Sequence, residues 1–227
     1  MGKTYWIMKR IGLAIFVLAT VFAYLALMAW GWGSVRGFFA NPARTALVLI
    51  TLGMSITALF SNSSGLGKGV REDRSNRWVL LPLIGAGLVM VWLTPYLDRH
   101  NEWVLGGETV RWVGVALGLV GGWLRLAPVF ALGRRFSGLV AIQEGHTLKT
   151  DGLYRTIRHP SYLGLLIGTF GWALVFRCVV PGLVLLAVMA LAIVARMNSE
   201  ERLLAEQFGD EYAAYRKKTW RMIPWVY

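Results

Sequence analysis

A single cysteine, Cys178, rules out an internal disulfide and any CxxC-type metal or redox pair. Histidine is almost as scarce. Three occur, with no HxxxH or HxxE spacing, so no metal site is expected. There is no Walker loop and no GxGxxG run followed by an acidic residue, which argues against a soluble nucleotide-binding domain. Acidic residues number 12 against 24 Lys and Arg, and charged residues make up only 16% of the 227 positions. Apolar residues fill the difference: 56% are hydrophobic and the mean hydropathy is +0.52. Ordinary soluble domains lie near about 45–50% apolar, so the composition points to lipid as the solvent. The net charge of +12 could suit a nucleic acid, but the basic residues sit in short loops between apolar runs. That placement fits a membrane topology signal and an anionic lipid surface, and no nucleic-acid partner is expected.

Apolar runs at 11–30, 45–60, 78–97, 110–132, 162–176 and 179–194 predict an all-α integral membrane protein with about six membrane helices. The first run is too long for the core of a signal peptide and predicts a retained helix. The last two are short and are joined only by Arg177-Cys178, which predicts a tight helical hairpin. An amphipathic C-terminal helix should follow: Leu204, Phe208, Tyr212 and Tyr215 recur at helical spacing, and Gly209 marks a division. Residues 98–108 read as a mixed-charge loop. The chain reads as N-terminal membrane helices over 1–132 and a motif region over 133–227, together one structural domain. With the N-terminus inside, 18 of the 24 Lys and Arg residues fall on the inner side, five on the outer, and Arg125 lies within a span. That bias predicts a multi-pass protein whose termini and longest polar loop are cytosolic.

Chemistry concentrates at that face. Residues 146–162, HTLKTDGLYRTIRHPSY, hold two of the three histidines and end in Arg158-His159-Pro160 just before an apolar run. Pro160 disfavours helix at His159 and suits the first turn of the next span, where free N–H groups favour anions. Tyr154 and Tyr162 read as interface aromatics or as walls of an adenine pocket. Arg196 and Glu200, four apart, share a helix face. They form either an ion pair at a helix exit or a pair of opposite charges that receives an anion and a cation. Glu201 points elsewhere and reads as solvated. Arg125, an ionisable group inside a span, is either a substrate contact or a snorkelling side chain.

These features together carry a resemblance. GHTLKTDGLYRTIRHPSYLG, an apolar hairpin, and EERLLAEQFGDEYAAYRKKTWRMIP resemble the isoprenylcysteine carboxyl methyltransferase family and its phospholipid methyltransferase relatives, over residues 140–225. The resemblance implies an integral membrane enzyme that encloses S-adenosyl-L-methionine between the RHPxYxG region and the EE segment. It assigns the cofactor to His146, Thr147, Leu148 and Lys149, to Tyr154, to His159, Pro160, Ser161 and Tyr162, and to Glu200. Gln143 resembles a cofactor-contacting glutamine, at a shorter spacing to His146 than in the eukaryotic enzymes. Arg196 corresponds to the arginine that receives the substrate carboxylate, and Arg125 joins it as a substrate-binding candidate.

The expected activity is methyl transfer to a lipid-linked or amphiphilic acceptor, most simply a carboxylate as in isoprenylcysteine. A phospholipid amine and a small thiol are the alternative acceptors, and membrane lipids are expected partners. The competing class is a transporter or binding subunit, which should show polar or broken helices in several spans and an internal repeat. Only Arg125 and Pro128 hint at that.

Overall fold

The computed structural model describes residues 2–61, 71–137, 139–142, 145 and 147–227. Its frame is helical: α1 (Gly2–Trp32), α2 (Val35–Phe39), α3 (Pro42–Leu59), α4 (Leu80–His100), α5 (Glu108–Leu132), α6 (Pro160–Val175) and α7 (Val179–Lys218). Among the described residues, four stretches are long and apolar enough to cross a membrane: Pro42–Leu59, Arg74–His100, Glu108–Leu132 and Val179–Lys218. Val17–Trp32 and Pro160–Val175 are shorter apolar helices. Among the described residues, one two-stranded ladder, β1 (Arg71–Glu72) against β2 (Ala141–Ile142), is antiparallel and ties the segment before α4 to the motif region.

Local chemistry sets the helix ends. The Asn41 side chain accepts from the Ala43 and Arg44 N–H groups at 3.0 and 3.2 Å, and Pro42 occupies the first turn of α3. Pro160 opens α6 in the same way. Arg177, at φ 58°, turns α6 directly into α7, which makes the tight hairpin expected from the sequence. The last apolar run continues into the amphipathic tail as far as Gly209 (φ 50°, ψ −122°), a non-helical backbone state that suits glycine and divides α7 there into two helical parts.

Helix α5 meets α6 along a seam of glycines. A Cβ on Gly121 would stand 2.3 Å from the Gly168 nitrogen. One on Gly164 would lie 2.6 Å from the Arg125 nitrogen, and one on Gly171 would lie 2.7 Å from the Gly114 oxygen. Lipid supplies no hydrophobic drive for helices to associate, so backbone-to-backbone packing through small residues takes its place. The seam carries Arg125 of α5 to the first turn of α6.

The end of the bundle away from the motif loop is pinned by Asp98, which corrects its reading as the head of a loop: it ends α4 and is 3% exposed. Arg111 reaches its two carboxylate oxygens at 2.7 and 2.9 Å. Arg177 Nε donates to it at 2.8 Å and Arg44 Nη1 at 3.3 Å. Its burial follows from those donors, since an unpaired carboxylate there would not be tolerated. Arg44 also lies 3.7 Å from the centre of the Trp32 ring.

Gly121→Ala should destabilise the protein by about 1–3 kcal/mol, because α5 and α6 must separate to admit one methyl group. Chemical unfolding in detergent measures it. Gly53→Ala, where a Cβ would meet nothing within 4 Å, should be neutral or mildly stabilising.

Candidate active site

The motif loop is held from two sides. The tail after α7 returns beside it, and Ile157 pairs in parallel with Trp220. The Arg158 and His159 N–H groups donate to the Trp220 and Arg221 carbonyls at 2.9 and 3.1 Å, and Trp220 N–H donates to Thr156 at 2.9 Å. A segment with little secondary structure of its own therefore has its backbone satisfied by a partner about 60 residues away in sequence.

Glu201 holds this arrangement together and corrects the expectation that it is solvated. It is 8% exposed, and its Oε1 receives Arg158 Nε at 3.0 Å, His159 Nε2 at 3.0 Å and Arg221 Nε at 3.2 Å. Arg221 also donates to Asn198 and to the Tyr227 hydroxyl. Arg158 Nη1 donates to the Thr219 carbonyl.

One residue earlier, Glu200 faces a cavity between the motif loop, α5, α6 and α7. The Tyr162 hydroxyl sits between two charges. It accepts from Arg196 Nε at 2.7 Å and donates to Glu200 Oε2 at 2.8 Å. Arg196 is 5% exposed. Arg125 enters the same cavity from α5 and donates to Ser161 Oγ at 2.6 Å. Tyr154 lines the wall, and its carbonyl accepts from the Tyr215 hydroxyl at 2.7 Å. Burial pushes the Tyr154 phenol far above its usual range, so it stays protonated.

Of the residues singled out in the sequence, Arg125, Leu148, Lys149, Tyr154, His159, Pro160, Ser161, Tyr162, Arg196 and Glu200 line this one cavity. Thr147 does not. It is exposed, and its hydroxyl accepts from Arg135. Gln143 and His146 lie outside the described residues. The start of α6 offers fewer free backbone donors than its sequence suggests: Pro160 has none, and Tyr162 N–H turns back to the His159 carbonyl at 3.2 Å.

Sequence reasoning missed Leu203, Tyr212 and Tyr215 as cavity walls. Two of them lay in plain view on the apolar stripe of the tail, but spacing cannot say whether such a stripe meets lipid or a cavity. The Tyr212 hydroxyl is buried and has no hydrogen-bond partner among the described residues.

The chain is similar to several known proteins. A phospholipid methyltransferase family model matches residues 109–211, which run from α5 through most of α7. Protein-S-isoprenylcysteine O-methyltransferase of Schizosaccharomyces pombe is 36% identical over 115 residues, 49% of this chain and 49% of that protein. Protein-S-isoprenylcysteine O-methyltransferase A of Arabidopsis thaliana is 33% identical over 151 residues, 63% of this chain and 77% of that protein. A solved structure of the eukaryotic intramembrane Ras methyltransferase, isoprenylcysteine carboxyl methyltransferase, superposes with a TM-score of 0.60 at 18% identity. The match covers 98% of this chain and 84% of that one, and it shows a shared fold. The chain belongs to the isoprenylcysteine carboxyl methyltransferase family. It spans about half the length of the S. pombe relative.

The two adjacent glutamates should separate cleanly on substitution. Glu201→Ala leaves two guanidiniums and an imidazole without their carboxylate and should lower stability by about 3–5 kcal/mol. Glu200→Ala removes one hydrogen bond from a half-exposed group and should cost about 1 kcal/mol or less, with its main effect on ligand affinity. Unfolding midpoints and calorimetric titration of both variants check this. Equal loss of stability would show that the two carboxylates share one role.

Proposed function

We propose that this protein is an S-adenosyl-L-methionine-dependent methyltransferase that acts on a lipid-linked carboxylate such as that of an isoprenylcysteine. The observation that carries the reading is the meeting of two cavities at Arg125. The polar one holds Glu200, Tyr154 and Tyr162. The second is walled by Leu47, Met54, Trp172 and the glycines of α5 and α6, and it shares Leu83, Arg125 and Leu165 with the first. One side suits a polar cofactor and the other a hydrocarbon tail, with guanidiniums where an anionic head group would stop.

The residues present fit the cofactor. Glu200 offers a carboxylate to its cationic groups, Tyr154 and Leu203 offer apolar wall, and the Tyr212 hydroxyl, without a partner among the described residues, lies in the same lining. The cofactor supplies an electrophilic methyl group on a sulfonium. The protein's task is then placement more than proton transfer, because a carboxylate acceptor is already a nucleophile. Arg196 is held by Tyr162 at the helix exit, where a planar guanidinium can take both carboxylate oxygens. Arg125, fixed by Ser161, adds a second positive charge on the tail side.

The polar cavity and the basic segments Arg155–Arg158 and Arg216–Lys218 lie at one end of the bundle. The excess of basic residues there supports a cytosolic site with both termini on the same side. Labelling of single cysteines introduced at 150 and 218 in oriented vesicles tests this. Opposite accessibilities of the two positions would contradict it.

Methyl transfer from labelled S-adenosylmethionine should appear with a prenylated cysteine and not with a phospholipid amine or a small thiol. Arg196→Ala should lose most transfer while affinity for the demethylated cofactor changes by less than about tenfold, 1.4 kcal/mol. Lys should rescue poorly, since it keeps the charge without the planar fork. If affinity falls in step with activity, Arg196 belongs to the cofactor shell.

A further inference from the structure

His159 is 4% exposed, and its two ring nitrogens face two different carboxylates. Nε2 lies 3.0 Å from Glu201 Oε1. That oxygen already accepts from the guanidiniums of Arg158 and Arg221, and an ionised carboxylate between two guanidiniums can only accept. Nε2 must therefore carry a proton. A neutral imidazole protonated on Nε2 presents a lone pair at Nδ1.

Nδ1 lies on the cavity side, 4.0 Å from Glu200 Oε2. This separation is too long for a direct hydrogen bond and leaves room for a donor between the two atoms. The Tyr162 ring, 5.5 Å away and inclined by 30°, packs against the imidazole and limits its rotation. Glu200 is oriented in turn by the Tyr162 hydroxyl.

We propose that Glu201 is a positioning residue that fixes the tautomer of His159, so that His159 Nδ1 and Glu200 together form a two-acceptor seat for the ammonium group of the bound cofactor. This rests on the reading of the cavity as an S-adenosylmethionine site. It deepens that reading by assigning roles to three neighbouring groups. An ammonium carries several donors and a positive charge, and two acceptors about 4 Å apart, one of them anionic, match it. A neutral donor such as an adenine amine would gain less from the Glu200 charge. A histidine protonated at Nδ1 instead would direct a donor at the ammonium and repel it.

The sequence makes the test tractable, because only three histidines contribute to the spectrum. With ring-15N-labelled histidine in detergent, and the signal assigned by its loss in His159→Asn, the shifts should place the proton on Nε2. A proton on Nδ1 in the wild type overturns the proposal without any further variant. All three donors meet one oxygen of Glu201, which a glutamine carbonyl can replace. Glu201→Gln should therefore keep the tautomer, while Glu201→Leu should release it into a mixture.

Calorimetry then links the tautomer to binding. S-adenosylhomocysteine should bind the wild type about 10- to 100-fold more tightly than its analogue lacking the amino group, the value of a charge-assisted hydrogen bond. Glu201→Gln should preserve that ratio, and Glu201→Leu should cut it severalfold. Equal binding of the two ligands to the wild type, or an unchanged ratio in Glu201→Leu, overturns the seat while leaving the cofactor reading intact. Failure of the wild type to bind S-adenosylhomocysteine at all overturns both.

Discussion

A carboxylate withdrawn from water at the end of a membrane helix must find several donors or not be there at all. Glu201 finds them on two segments foreign to its own helix: Arg158 and His159 from the motif loop, and Arg221 from the returning tail. Three pieces of chain that would otherwise be independent, the loop, the tail and the exit of α7, are thereby fixed on one oxygen. Everything the cavity needs follows from that fixation. Pro160 opens α6 at a defined point, Tyr162 reaches α7, and Glu200 turns to the cavity because successive helical residues diverge by about 100°.

The opposite end of the bundle uses the same device. Asp98 gathers Arg44, Arg111 and Arg177 from three different places in the chain. Between these two ionic nodes runs the glycine seam of α5 and α6, with Gly114 and Gly171 toward Asp98 and Gly121 and Gly164 toward the cavity. Packing of small residues in lipid resists separation of helices better than it resists sliding, and anchors at both ends remove the sliding. Arg125 depends on that register. One helical residue out of place, its guanidinium would miss Ser161 and face hydrocarbon.

Much of this was legible in the residues. Apolar runs placed the helices, Asn41-Pro42 and His159-Pro160 marked two starts, and the Arg177-Cys178 joint marked the hairpin. The candidate residues named from the motifs fall mostly on one cavity wall, with Thr147 turned away. What escaped has a common cause. Glu201 and Glu200 look alike in sequence, and only partners 40 or so residues away distinguish them. Asp98 reads as a loop residue until Arg177, 79 positions later, is brought beside it. The pairing of Trp220 with Ile157 leaves no periodic trace, since two short backbone segments carry it. Local pattern reports which face is apolar, whereas the identity of the surface that meets it is a long-range property.

The arrangement of charge around Tyr162 bears on which acceptor such a site favours. Its hydroxyl accepts a hydrogen bond from Arg196 and donates one to Glu200, so a positive and a negative group flank it, and Arg125 adds positive charge where the cavity meets the apolar groove. On the proposed reading, a cationic methyl donor would face Glu200 and an anionic acceptor would face Arg196 and Arg125, and reversing either would set like charges together. Transfer between that pair destroys charge, so its transition state is less polar than its ground state. Withdrawal from water between helices then lowers the barrier, because hydration stabilises the separated ions more than it stabilises what they become. A neutral amine acceptor gains much less, since the positive charge is only moved from sulfur to nitrogen, and it would meet two guanidiniums that repel the product. The polarity of the site and its place at the edge of the apolar groove therefore favour the same acceptor class, an anion on a lipid tail, for independent physical reasons.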